Sequence, residues 1–176
     1  MSPGDPITGS YTFESTTPDS AASASEGSYT SPSDAPYSMS ATIGENLFST
    51  TDFLNIGVAN FGPLGDFYTV LACSPDVSCA DLEMEIALQN LDGTALSSDA
   101  LPLTPPALGL FEIRNFHVFA LLGGSELQIE GTIYTLTCPA CIPAPIPEPG
   151  TVVLLASGLV LLGFYTRRAT RTLRRE

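Results

Sequence analysis

The chain contains no lysine, and five of its six arginines stand in its last ten positions. Of 19 carboxylates, 17 precede Glu148; a single base, Arg114, stands against them, so this part carries a formal charge of −16. Such a surface repels nucleic acid, whose binding needs lysine and arginine to neutralise phosphate, and it discourages contact with anionic lipid. It favours solubility and attracts divalent cations loosely. Histidine is nearly as scarce, with His117 alone. No Gly-x-Ser-x-Gly elbow supplies a nucleophile for a histidine-based triad. Glycine-rich phosphate loops and the Asp-x-Asp-x-Asp-Gly calcium loop are also missing. There is no convincing amphipathic helix, and no internal repeat at the periods of about 20 to 50 residues that build solenoids.

What is present is alternation. Tyr37, Met39, Ala41 and Ile43 alternate with Ser38, Ser40 and Thr42, the pattern of a half-buried strand. Ile7 to Phe13, Phe53 to Phe61 and Asp66 to Ala72 read as strands too. From Asp81 to Leu91, Leu82, Met84, Ile86 and Leu88 take one face and Asp81, Glu83 and Glu85 the other. Leucine, methionine and glutamate favour helix, but the period of two decides for strand. Asp92-Gly93 and Gly123-Gly124 are turn signals. Ala107 to Leu122 is apolar with a slip near Asn115, which predicts a turn or bulge. In Ser125 to Thr137, Leu127, Ile129 and Ile133 face in against Glu126, Gln128 and Glu130. Residues 15–33 hold almost no apolar mass and are expected to form a loop or a poorly ordered segment. Residues 97–106 hold three prolines and read as a loop. About eight or nine short strands predict an all-β, antiparallel β-sandwich or jelly-roll-like domain over residues 1–142.

Composition changes abruptly after that. Residues 143–149 form a proline-rich linker containing Pro147, Glu148 and Pro149, which can be neither helix interior nor central strand. Residues 150–166 carry no charge. As a helix they would be about 25 Å long, at the short end for a membrane span. Arg167, Arg168, Arg171, Arg174 and Arg175 follow in the tail 167–176. Arginine is retained on the cytoplasmic side, so the single C-terminal transmembrane helix is expected to leave the tail inside and the β-domain outside. The arginines nearest the span can snorkel and lengthen it. Gly158 and Gly163 lack small-xxx-small spacing, so no helix dimer is expected. The competing reading is a buried core helix, which would not need a basic cluster placed as a stop signal.

Pro-Glu-Pro, a short apolar span and a terminal arginine cluster together resemble the PEP-CTERM sorting signal of Gram-negative, exopolysaccharide-producing bacteria. Only about the last thirty residues carry the resemblance, and Ile146 stands where many members have valine. The resemblance implies recognition of Pro147, Glu148 and Pro149 by an exosortase, a membrane-embedded cysteine protease or transpeptidase. The protein would sit in the inner membrane before processing, and at the cell surface or outside the cell afterwards. Members begin with a secretory signal, whereas Met1-Ser-Pro-Gly-Asp-Pro shows neither a basic n-region nor an apolar h-region. Three explanations compete, namely a start codon placed too late, an already processed chain and a real absence, and the first is favoured.

Four cysteines allow three pairings. For an exported chain the expectation is local pairing, Cys73 with Cys79 and Cys138 with Cys141. Cys138-Pro-Ala-Cys141 has thioredoxin-like spacing, but the prolines that follow prevent the helix such thiolates need. A four-thiolate zinc site would require a reducing compartment. His117 is expected at a core or edge position, satisfied by one hydrogen bond. Asp81, Glu83 and Glu85 are expected to form a solvated face. No metal, cofactor or catalytic residue is assigned. The expected function is a non-catalytic envelope, matrix or biofilm component. The alternatives are a carbohydrate- or calcium-binding module acting on exopolysaccharide, a secreted hydrolase using two carboxylates, and an ice-binding surface, for which only Thr135-Leu-Thr137 has the required look.

Overall fold

A strand that alternates apolar and polar side chains has one face to bury, and two such sheets bury each other's. A computed structural model describes residues 2–31 and 37–138 of the chain. Its strands are β1 (Ile7–Thr12), β2 (Glu26–Thr30), β3 (Ser38–Ile43), β4 (Asn46–Thr50), β5 (Phe53–Asn60), β6 (Asp66–Ser74), β7 (Leu82–Asn90), β8 (Ile113–Leu122) and β9 (Ser125–Thr132). All pairings are antiparallel. A small sheet runs β1-β3-β4 and a large one β2-β5-β6-β7-β8-β9. The two sheets share one apolar core, the arrangement of a β-sandwich. From β5 onward the large sheet is a meander, each strand beside its successor, rather than the Greek keys of a jelly roll.

The core follows from register. Tyr29, Ile56, Val70, Ile86 and Phe116 lie in one row across five neighbouring strands, all pointing inward. Leu54, Val58, Tyr68, Ala72, Met84, Leu88 and Val118 extend that face, and Met39, Ala41, Ile43 and Phe48 oppose it from the small sheet. Each large aliphatic side chain buried in this way contributes about 1.5 to 3 kcal/mol relative to exposure. A one-residue slip would turn every one of them to water, so the register is strongly specified. Polar links also join the sheets. The Tyr11 and Tyr68 hydroxyls are 3.0 Å apart, and the buried Thr50 hydroxyl donates to the Cys73 carbonyl at 2.8 Å.

Several expectations change. The presumed loop 15–33 contains β2. Its sequence, Glu-Gly-Ser-Tyr-Thr, hides the strand because only Tyr29 supplies apolar bulk. Gly27 is there for clearance, since a Cβ would collide with the Asp99 carbonyl and the Tyr29 ring. Asp19 holds the approach to β2, its Oδ1 accepting the Ser28 and Ala21 N–H groups. β4 was not anticipated either; it follows β3 through a tight turn at Gly44-Glu45. The slip near Asn115 is not a bulge, because β8 pairs without interruption from Ile113 to Ala120. The phase changes earlier, where a 3-10 turn at Leu108–Leu110 delivers Phe111 to the core before the strand begins. Gly123 and Gly124 do form the β8–β9 hairpin turn, at φ +60° and +85°, a conformation open to glycine. β9 stops at Thr132 rather than Thr137, although Ile133 and Leu136 still pack on the core.

Candidate functional site

The large sheet's second face shows what the alternation leaves over. Opposite the inward row, Leu71, Glu85, His117 and Glu130 are successive cross-strand partners on β6, β7, β8 and β9. Glu83, one pleat along β7, lies in the next row with Cys73, Phe119 and Gln128. The register that buries Met84, Ile86, Phe116 and Val118 therefore forces Glu83 and Glu85 to stand beside His117.

The side chains converge. One ligand-type atom each from Glu83, Glu85 and His117 falls within 4.8 Å of the others. His117 Nδ1 lies 3.9 Å from Glu83 Oε1, with the side chains 28% and 33% exposed. That separation suits an ion pair when the ring is protonated and is too long for a hydrogen bond. Burial, together with the Glu83 charge, raises the Glu85 carboxyl above the usual range, while His117 pulls it back. No arginine offsets the two carboxylates, because Arg114, the one basic side chain among the described residues apart from His117, makes no ion pair there. Beside the cluster is a depression of about 430 Å³ lined by Glu85, Ala87, Asn115, His117, Glu130 and Thr132. An imidazole and two carboxylates can exchange protons or hold a cation.

Sequence reading had placed His117 at a site satisfied by a hydrogen bond, and the structure corrects this. Among the described residues its side chain makes no hydrogen bond and stands beside Glu83 and Glu85, and its in-phase neighbours Phe119 and Leu121 share the outer face. Of the expected acidic trio, Glu83 and Glu85 join the cluster and Asp81 does not. Cys73 and Cys79 form a disulfide with their Cα atoms 4.6 Å apart, closing a short loop at the end of β6. Cys141, and hence the second expected pair with Cys138, reaches outside the described residues.

The linker 143–149, the span 150–166, and Arg167, Arg168, Arg171, Arg174 and Arg175 also lie outside the described residues. Among the described residues no helix is long and apolar enough to cross a membrane. The family comparison is decisive for this tail, since the PEP-CTERM protein-sorting motif matches residues 145–169. The chain carries a PEP-CTERM sorting signal. The matched stretch takes in Pro147, Glu148, Pro149, Arg167 and Arg168. A PEP-CTERM signal implies processing by an exosortase and an exported, surface-directed protein. Neither a curated protein nor a solved structure matches the chain.

Proposed function

We propose that this is a non-catalytic β-domain displayed at the bacterial surface as a component of the envelope, extracellular matrix or biofilm. Residues 150–166 span the inner membrane once, with the arginine cluster in the cytoplasm and the β-domain outside. Exosortase acts near Pro147, Glu148 and Pro149, and any catalytic residues for that step belong to the processing enzyme. The observation that carries this reading is the order of parts: a β-sandwich whose last described strand ends at Thr132, then the sorting motif at 145–169. Intact-mass measurement of the protein from a producing strain, with and without its exosortase, tests it. The expected mature form lacks the arginine cluster only when the enzyme is present. A surface form still ending in Arg174-Arg175-Glu176 would overturn it.

A second reading, binding of exopolysaccharide, has a specific observation behind it. Ser28, Gly57, Thr69, Ala87, Asn115 and Thr132 make a row of small side chains across all strands of the large sheet. At roughly 4.8 Å per strand this trough is about 24 Å long. Its residues line the acidic depression at one end and, at the other, a second one of about 290 Å³ bordered by Phe61 and Phe67. A linear glycan fits such a trough. Electrophoresis through gel containing the producing strain's polysaccharide tests this reading; unretarded migration would remove it.

A further inference from the structure

We propose that Glu83, Glu85 and His117 form a surface site for a divalent transition ion, with Zn²⁺ the best match. The donors are one imidazole nitrogen and two carboxylate groups on adjacent strands of a rigid sheet. Zinc takes nitrogen at about 2.0–2.1 Å and carboxylate oxygen at about 2.0–2.2 Å. Tetrahedral geometry then sets its ligands about 3.3 Å apart. The 3.9 Å gap between His117 Nδ1 and Glu83 Oε1 is too wide for a hydrogen bond, and the three ligand atoms, within 4.8 Å of one another, stand wider than a shared ion requires. Small side-chain rotations of two partly exposed glutamates close it. Calcium is a poorer match, because it seeks six to eight oxygen ligands and rarely takes imidazole.

Two further observations point the same way. The side chains of Glu83, Glu85 and His117 have no hydrogen-bond partner among the described residues, so their lone pairs are not already committed to the fold. No lysine or arginine stands nearby to neutralise the carboxylates, in a described domain whose single arginine is Arg114. A bound dication supplies the missing positive charge. Three protein ligands leave a position open toward the depression, where Glu130, the cross-strand partner of His117, or a water completes the set. The ion would tie β7 to β8 on the face the core does not stabilise.

The experiment uses the full chain, oxidised, detergent-solubilised and stripped with a chelator, and titrated with Zn²⁺. His117 is the only histidine, so its ring nitrogen resonances report on the site directly. The expected result is that they shift in step with stoichiometric Zn²⁺, and that the affinity drops by about tenfold or more in Glu83→Gln and Glu85→Gln. Glu126→Gln, on the same face but outside the cluster, should bind as the parent does. Ring signals unmoved in excess Zn²⁺ would overturn the proposal, as would glutamine variants that bind as tightly as the parent. Displacement of Zn²⁺ by equimolar Ca²⁺ would also overturn it, since it would show a carboxylate-only site. Should a variant misfold, the parent's ring shift still decides.

Discussion

β7 presents two faces made from alternate letters of one short sequence. Met84, Ile86 and Leu88 go into a sealed core, and Glu83, Glu85 and Ala87 go to an open surface. The first set is interchangeable with other apolar residues of similar volume. The second is not, because its chemistry depends on which side chain stands opposite. Stability therefore resides on the inner face and the proposed metal chemistry on the outer one, and the backbone pleat keeps the two within one residue of each other.

This contrast can be broken from the inside first. Met84→Ala, at a fully buried site, should destabilise the domain by about 2 to 5 kcal/mol in urea unfolding. A loss below about 0.5 kcal/mol, typical of a surface change, would mean the sheets do not seal there.

A smaller effect is expected at the phenol pair between the sheets. Burial, reinforced by Tyr11, holds the Tyr68 hydroxyl proton far above the ordinary tyrosine range. In the unfolded chain that proton leaves near pH 10. The stability contributed by neutral Tyr68 is thus complete below about pH 10 and lost above it, by about 1.4 kcal/mol per pH unit. Tyr68→Phe should cost about 1 kcal/mol near neutrality by removing the bond to Tyr11. It should also flatten the alkaline loss. Unfolding midpoints on both sides of that pH check the sign, and parallel curves for parent and variant would contradict it.

The smallest change belongs to the outer face. Glu85 has a raised pKa, so its charge is unfavourable in the metal-free fold. Glu85→Gln should be neutral or stabilising by up to about 0.5 kcal/mol near neutrality, after allowing for solvent screening. The gain should vanish as pH falls below the ordinary glutamate range near 4.3. Metal-free thermal melts across that range measure it, and a clear destabilisation would place Glu85 among the structural residues.

How legible each part was in the sequence follows from the same physics. β3, β5 and β7 could be read because apolar residues recur every second position. β2 could not, because Gly27 and Ser28 carry no pattern and its place is set by pairing with β5. Within the cluster, Glu83 and Glu85 were visible as neighbours on one face. His117 was not, since it meets them only through a cross-strand register fixed after a long loop between β7 and β8. Sequence alone contains no term for that register. The sorting tail was readable for the opposite reason: a processing enzyme recognises it as a linear string, so the order of residues is itself the signal.

β9 is both the last of the described strands and an edge of the large sheet. Every rung of the described ladders is complete by Thr132, and one further bond, from the Ile133 N–H to the Arg114 carbonyl, ties off the end. A cut downstream of Cys138 would therefore remove none of the described rungs.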